Sequence, residues 1–233
     1  MIRSVLAAAG LCLGAVLPAA ALTLAPGDTL DSADYFDFGE VATSDADWYG
    51  THLGSFSASA NVTRDGFDGY EVVTGLYDVD AELSVDVYDG GSATTTFAYG
   101  FLATDNGLFG TNGALGYTVS GFADYTVEIG WSIAGFPYVP FISRSADGDT
   151  VTVEYFDPLD ALNPIETLLL RVDAPAFALT GTGTAAISID SFGTYAEPLS
   201  GLPAPAPVPL PPAGLALACG LAVLAGARRR CRA

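Results

Sequence analysis

The sequence predicts an all-β protein: an antiparallel β-sandwich of jelly-roll-like build, with a barrel as the alternative, between two targeting ends. Three observations carry that prediction. Apolar and polar residues alternate with a period of two in segment after segment. Gly-rich turns separate those segments at short spacing. No stretch sustains a helical period; Leu159–Leu170 is the one ambiguous run, and Asn163-Pro164 cuts it. Many short alternating runs with turns between them mark a sandwich or barrel.

The chain opens with Arg3, an apolar run from Val5 to Leu17, Pro18 and the small residues Ala19-Ala20-Ala21. Positive start, apolar middle and small-residue end define a secretory signal peptide, residues 1–21, cut by signal peptidase after Ala21. Cys12 lies inside the apolar run behind Leu11, which does not suit a lipidation site. Residues 22–197 then form one acidic domain, a size that suits a single core. All three cysteines (Cys12, Cys219, Cys231) fall in the targeting ends, so the domain has no disulfide despite an oxidising destination.

Strands are expected at Thr51–Thr63, Tyr70–Tyr77, Ala81–Tyr88, Thr94–Leu102, Tyr125–Ile133, Thr150–Tyr155, Ile165–Val172, Ala176–Thr180 and Ala185–Ser191. The run at Tyr125 is the clearest. Tyr125, Val127, Ile129, Trp131 and Ile133 share one face, and Thr126, Glu128, Gly130 and Ser132 share the other. Turns are expected at Asp65-Gly66, Asp89-Gly90-Gly91, Asn106-Gly107, Asn112-Gly113 and Asp147-Gly148. Residues 198–207, PLSGLPAPAP, read as an extended Pro-rich spacer.

All 27 acidic residues lie between Asp28 and Glu197, and only Arg64, Arg144 and Arg171 oppose them there. Such a surface repels nucleic acid and anionic lipid, so neither is a partner of the domain. It also destabilises the compact state unless salt or cations screen it. Calcium is the candidate ligand, since it takes six to eight oxygens gathered on loops. Asp147 and Asp149 flank one candidate loop, Asp65 and Asp68 another. Asp78, Asp80 and Glu82 have D-x-D-x-E spacing, but Leu83 stands where an EF-hand needs Gly. The series Asp28, Asp31, Asp34, Asp37 and Glu40 reads as a solvated arm, because like charges three apart repel on a helix.

Catalysis finds little purchase. His52 is the single histidine, no G-x-S-x-G elbow exists, and zinc needs several His or Cys ligands. A carboxylate pair for glycoside cleavage is present by number, but nothing singles one out. The expectation is therefore not an enzyme. His52 reads as a strand residue near the surface. Trp131 reads as core, and Trp48, in an acidic loop, as the aromatic candidate for sugar binding.

The last residues, 208–233, hold three parts in fixed order. Val208-Pro209-Leu210-Pro211-Pro212 is extended because proline cannot continue a helix. Ala213–Ala227 is apolar and suits a transmembrane helix, which satisfies its backbone internally. Arg228, Arg229, Arg230 and Arg232 form a cluster that stays cytoplasmic. This tripartite tail resembles the PEP-CTERM class of bacterial C-terminal sorting signals, in its VPLPA-CTERM variant. Pro212 departs from the pattern, standing where Ala is expected. The resemblance implies processing by an exosortase, a membrane cysteine protease, in a Gram-negative host that makes exopolysaccharide. It implies anchoring in the inner membrane before processing, then the cell surface or extracellular matrix. A structural or adhesive role linked to exopolysaccharide follows, with a carbohydrate-binding module, and less so a jelly-roll glycosidase or lyase, as alternatives. Separately, Asp45-Ala46-Asp47-Trp48-Tyr49, Leu76-Tyr77-Asp78 and Asp124-Tyr125-Thr126-Val127 resemble segments of secreted prepeptidase-C-terminal β-sandwich domains, which implies a fold class only.

Overall fold

A computed structural model describes residues 22–30, 41, 45–67, 70–91, 93–106, 113–132, 141–159, 167–189 and 192–206. Residues 1–21, where a signal peptide is expected, the acidic series Asp31 to Glu40, Asp68, and residues 208–233, where the sorting motif Val208 to Pro212 and the Arg cluster are expected, lie outside the described residues.

The described chain is all-β. Its strands are β1 (Leu22–Thr23), β2 (Thr29–Leu30), β3 (Thr51–Phe67), β4 (Val72–Asp89), β5 (Thr95–Asp105), β6 (Gly113–Ser120), β7 (Val127–Ser132), β8 (Phe141–Arg144), β9 (Thr150–Leu159), β10 (Thr167–Val172), β11 (Phe177–Ile189) and β12 (Gly193–Pro205). They form two six-stranded sheets, β1-β7-β10-β5-β4-β3 and β12-β11-β6-β9-β8-β2. Every pairing is antiparallel. After the β3–β4–β5 meander the chain changes sheet on passing to β6, to β7, to β8, from β9 to β10, and on to β11.

Alternation produces the core. On β4, Val79, Ala81, Leu83, Val85 and Val87 are all fully buried, while Asp80, Glu82 and Ser84 between them are exposed. Burying such aliphatic side chains contributes about 1.5–3 kcal/mol each for the larger ones. Between the sheets, Phe122, Phe97, Tyr99, Tyr117, Phe101 and Tyr155 form a continuous row of rings with successive centroids 5.1–6.5 Å apart. The spacing is that of attractive ring pairs.

Four expectations need correction. Ala176–Thr180 and Ala185–Ser191 are not separate strands, since Phe177–Ile189 is one strand, β11. Tyr70–Tyr77 and Ala81–Tyr88 are not separate strands; 72–89 is one strand, with Gly75 (φ +68°) absorbing the irregularity inside it. Asp65-Gly66 is not a turn, because it sits inside β3 at a register shift between Arg64 and Gly66. Residues 198–205 are not a free spacer: they belong to β12, which pairs with β11 and buries Leu199, Leu202 and Ala204. Proline is tolerated there because β12 is an edge strand, where an N–H can be lost without breaking a ladder.

Candidate functional site

At one end of the first sheet, β3 begins, β4 ends and β5 begins. His52 pairs with Tyr88, and Gly54 with Val87, which leaves Leu53 as the extra residue of a β-bulge. The bulge reverses the alternation. His52 lies on the outer face, two residues on Gly54 lies on the inner face, and Leu53 is left 46% exposed. Bulges often re-aim a side chain in this way beside binding sites.

The outer side of the bulge carries three rings in contact. Tyr88 lies 5.2 Å from Tyr49 and 5.2 Å from His52, centroid to centroid. Burial raises the Tyr49 phenol above its usual range, against the lowering effect of a hydrogen bond with Ser132. Burial, and then the Asp86 carboxylate, do the same for Tyr88. Both hydroxyls are therefore neutral donors at physiological pH.

Beside them a cleft of about 380 Å³ is lined by Leu53, Asp89, Gly91, Ala93, Thr94, Thr95 and Pro175. Its floor is the β4–β5 turn. Thr94 Oγ1 donates to Gly91 O at 2.7 Å, Gly91 N donates to Asp89 Oδ1 at 3.0 Å, and buried Thr95 Oγ1 donates to Ala174 O at 2.6 Å. Ala93 holds φ +65°, the one non-glycine residue in the left-handed region among the described residues. Such strain persists only where the surroundings impose it. Leu53, Ala93 and Pro175 give the cleft an apolar side, and Asp89 and the threonines a polar one. That mixture suits an amphipathic ring such as a sugar.

The same corner brings Ser55, His52 and Asp86 together, without forming a nucleophilic triad. Ser55 Oγ lies 3.2 Å and Asp86 Oδ1 3.5 Å from one and the same ring nitrogen, Nε2. A triad needs the carboxylate on the opposite nitrogen, to orient the ring while the first nitrogen takes the proton. His52 and Asp86 are each 49% exposed, so no desolvation strengthens the pair.

The residues singled out from sequence are placed as follows. Trp48 is not an exposed sugar platform: it is 2% exposed and packs with Val41, Ala98 and Leu169 against the outer face of the first sheet. A Cβ at Gly130 would sit 2.8 Å from Trp48 Cη2, so glycine is what lets the indole lie flat there. The Arg171 guanidinium lies over the ring, 4.5 Å from its centroid. An aromatic residue in an acidic loop looks exposed in sequence; burial follows only because Gly130 of β7, Leu169 of β10 and Ala98 of β5 together offer an apolar floor.

Asp147 and Asp149 shape the β8–β9 turn. Asp147 Oδ1 accepts from Ser145 Oγ at 2.5 Å and from Asp149 N at 3.1 Å, and Asp149 Oδ1 accepts from Gly121 N at 3.2 Å. The Ser145 hydroxyl, then the Asp149 N–H, hold the Asp147 carboxyl below its usual range. Asp65 Oδ1 accepts from Gly75 N at 2.9 Å across the β3–β4 ladder. Asp147 and Asp149 thus spend these oxygens on the turn, Asp68 lies outside the described residues, and among the described residues no group of three or more His, Cys, Asp or Glu side chains could hold a metal ion. Asp78 and Asp80 instead receive amide and hydroxyl hydrogens: Asn61 Nδ2 reaches both, Thr63 Oγ1 reaches Asp78, and Asn106 Nδ2 reaches Asp80. Trp131 is buried and His52 lies on a strand surface, as read from the sequence.

The grouping of Tyr49, Tyr88, His52 and Leu53 was not foreseen. Its one trace in the sequence is the broken alternation at His52-Leu53-Gly54, ahead of the regular row Phe56, Ala58, Ala60 and Val62. No protein-family model, no curated protein and no solved structure matches this chain.

Proposed function

We propose that this chain is an exported protein, sorted by an exosortase to the cell surface or matrix, where it has a structural or adhesive, non-catalytic role linked to exopolysaccharide. The observation that carries this reading is the tail sequence: the Val208–Pro212 motif, the apolar run and the Arg cluster. The signal-peptide pattern at 1–21 agrees with it, and so does the acidity of the domain, which favours solubility outside the cell. The passage of β5 to β11 back and forth between sheets supports the finer jelly-roll reading, although β12 stays beside β11. The test is the intact mass of the protein from cells with and without exosortase. Loss of the tail near Val208–Pro212 in the wild type alone supports the proposal; an Arg-terminated tail in both strains overturns it.

A second reading, a carbohydrate-binding module, is favoured by the cleft beside Tyr49, Tyr88 and His52. Calorimetric titration with the host's exopolysaccharide, against wild type and Tyr88→Ala, tests it. Binding that weakens about five-fold or more in the variant supports it, since an aromatic pair contributes about 0.5–1.5 kcal/mol beyond its buried area. Equal binding by both proteins, or none, removes it.

A further inference from the structure

We propose that the cleft beside Leu53 is the docking site of this chain's own Pro-rich segment, residues 207–212, which follows β12 directly. The path of the chain leads there. β12 lies against β3. Near one end of the pair, the Arg64 guanidinium of β3 lies over Tyr195 of β12, 4.4 Å from the ring centroid. Further back along β3, Phe56 meets Phe177 with ring centroids 5.5 Å apart, and Phe177 pairs with Pro205 at the end of β12. The two strands therefore run in opposite directions. Pro203, Ala204 and Pro205 are buried, and Ala206 N donates to Ala176 O at 2.9 Å, so β12 is held to its last residue. Ala176 follows Pro175, which lines the cleft, and Leu53, which also lines it, lies just before Phe56 on β3. Continued past Ala206, the line of β12 meets β3 at Leu53. Val208 is two residues on, within roughly 7 Å of extended chain.

The chemistry matches the path. The bulge leaves Leu53 half-exposed, and with Ala93 and Pro175 it forms the apolar side of the cleft. Pro207, Val208, Pro209, Leu210, Pro211 and Pro212 are apolar and uncharged. The acidic surface does not repel them as it repels an anionic polymer. Proline presets the extended form, so docking costs little ordering. Segments of this kind seat on aromatic-lined grooves, and Tyr49, Tyr88 and His52 stand beside this one. An extended segment leaves its carbonyls without internal partners, and the Tyr88 hydroxyl supplies a donor there. The volume of about 380 Å³ suits a short segment. Docking requires neither reading given above, but it couples them: a cut within 208–212 would open the cleft that the second reading gives to sugar.

The test uses the full, uncut chain in detergent, with Cys12, Cys219 and Cys231 changed to Ser. Val208→Cys is paired with Leu53→Cys or, on the β8–β9 turn, with Ala146→Cys. Both partner positions are exposed, so neither change disturbs the core. Docking sets positions 53 and 208 within the roughly 7 Å that a disulfide spans between Cα atoms. Under mild oxidation the 53–208 bridge is expected to form at least about ten-fold faster than the 146–208 bridge, because docking raises the effective concentration at the cleft alone. Pro209→Gly with Pro211→Gly, beyond β12, removes the preset extended form and should slow the 53–208 bridge about five-fold or more. A tail merely tethered near Leu53 would cross-link as fast or faster once loosened. Equal rates for the two pairs, or no slowing by the glycines, overturn the proposal.

Discussion

Two of the three arginines of the acidic domain are held in opposite ways, in two regions of the molecule. Arg144, at the end of β8, is 4% exposed and is met by carbonyls. Its Nε donates to Gly148 O at 2.9 Å, Nη1 to Leu24 O at 2.8 Å, and Nη2 to Phe122 O at 2.7 Å and Tyr125 O at 2.8 Å. One side chain thereby ties the β8–β9 turn, the β1–β2 connection and the β6–β7 connection together. Burial lowers the guanidinium pKa, and the charges of Asp173 and Asp28 act against that lowering. Arg171, on β10, keeps a carboxylate. It donates through Nε to Glu128 at 2.7 Å, and its Nη2 lies 2.6 Å from the same oxygen, while its face lies over Trp48. It clamps the segment around Trp48 onto the outer face of the first sheet. The difference teaches that carboxylates, though abundant here, are not what a buried cation needs. The Arg144 corner needs donors aimed at several backbone oxygens of different turns, and a planar guanidinium supplies them.

The comparison predicts a ranking of effects. Arg144→Ala removes the guanidinium donors from four carbonyls, of which Phe122 O keeps the Tyr125 N–H, and should destabilise by about 3–5 kcal/mol, read as a lower urea midpoint. Arg144→Lys should recover only a minor part, because an ammonium lacks the fork; full recovery would break the argument. Trp48→Ala should cost about 3 kcal/mol and release the clamped segment, seen as faster amide exchange in 45–50 with β4 and β5 still protected. If β4 and β5 lose protection as well, the clamp is integral to the sheet and the contrast fails.

Arg171→Gln should cost about 1 kcal/mol, since its ion pair is partly exposed and exposed pairs contribute little. That loss should shrink at high salt, whereas the Arg144 loss should not. Tyr99→Phe sharpens the point about buried groups. The Tyr99 hydroxyl is buried with no hydrogen-bond partner among the described residues, and burial drives its pKa up. Its removal should leave stability unchanged or raise it by about 1 kcal/mol.

The smallest effect is expected from Asp147→Asn. The Asp147 carboxyl has a depressed pKa in the folded state. Its stabilising contribution is therefore present above the unfolded-state value of about 3.9 and lost as pH falls through the lower, folded one. Wild type and Asp147→Asn should differ at pH 6 and converge in strong acid; an unchanged difference would assign the effect to something other than ionisation.

The two arginines also show how far the sequence could be read. As residue types they were legible only as rare counter-charges. Nothing near Arg144 in the chain announces its carbonyls, for Leu24, Phe122 and Gly148 meet only once three connections converge. Alternation made the strands around Val85, Ile129 and Val153 plain. It failed at Gly75, which looks like a break and is not. It also failed at β6 and β12, where glycines and prolines dilute the pattern. Asp147-Gly148 was legible as a turn because its residues act locally. The Asp147 and Asp149 carboxylates went into the turn itself, which D-x-D spacing could not distinguish from a loop waiting for a cation. Trp48 shows the same limit for exposure: the chain gives its neighbours in sequence, not the floor it meets.

What the sequence by itself determined is whatever depends on a few adjacent residues: strand periodicity, the turns at Asp89-Gly90-Gly91 and Asp147-Gly148, the absence of cysteine from the domain, and its charge. Those are properties of local sterics and composition, and they hold wherever the chain is folded. The tertiary structure alone decided which strands are neighbours, that residues 198–205 close the second sheet, that Trp48 is covered, and that Tyr49, His52 and Tyr88 share a corner with the cleft at Leu53. These depend on contacts between residues far apart in the chain, and the packing that selects them is set by the summed burial of both sheets rather than by any one segment.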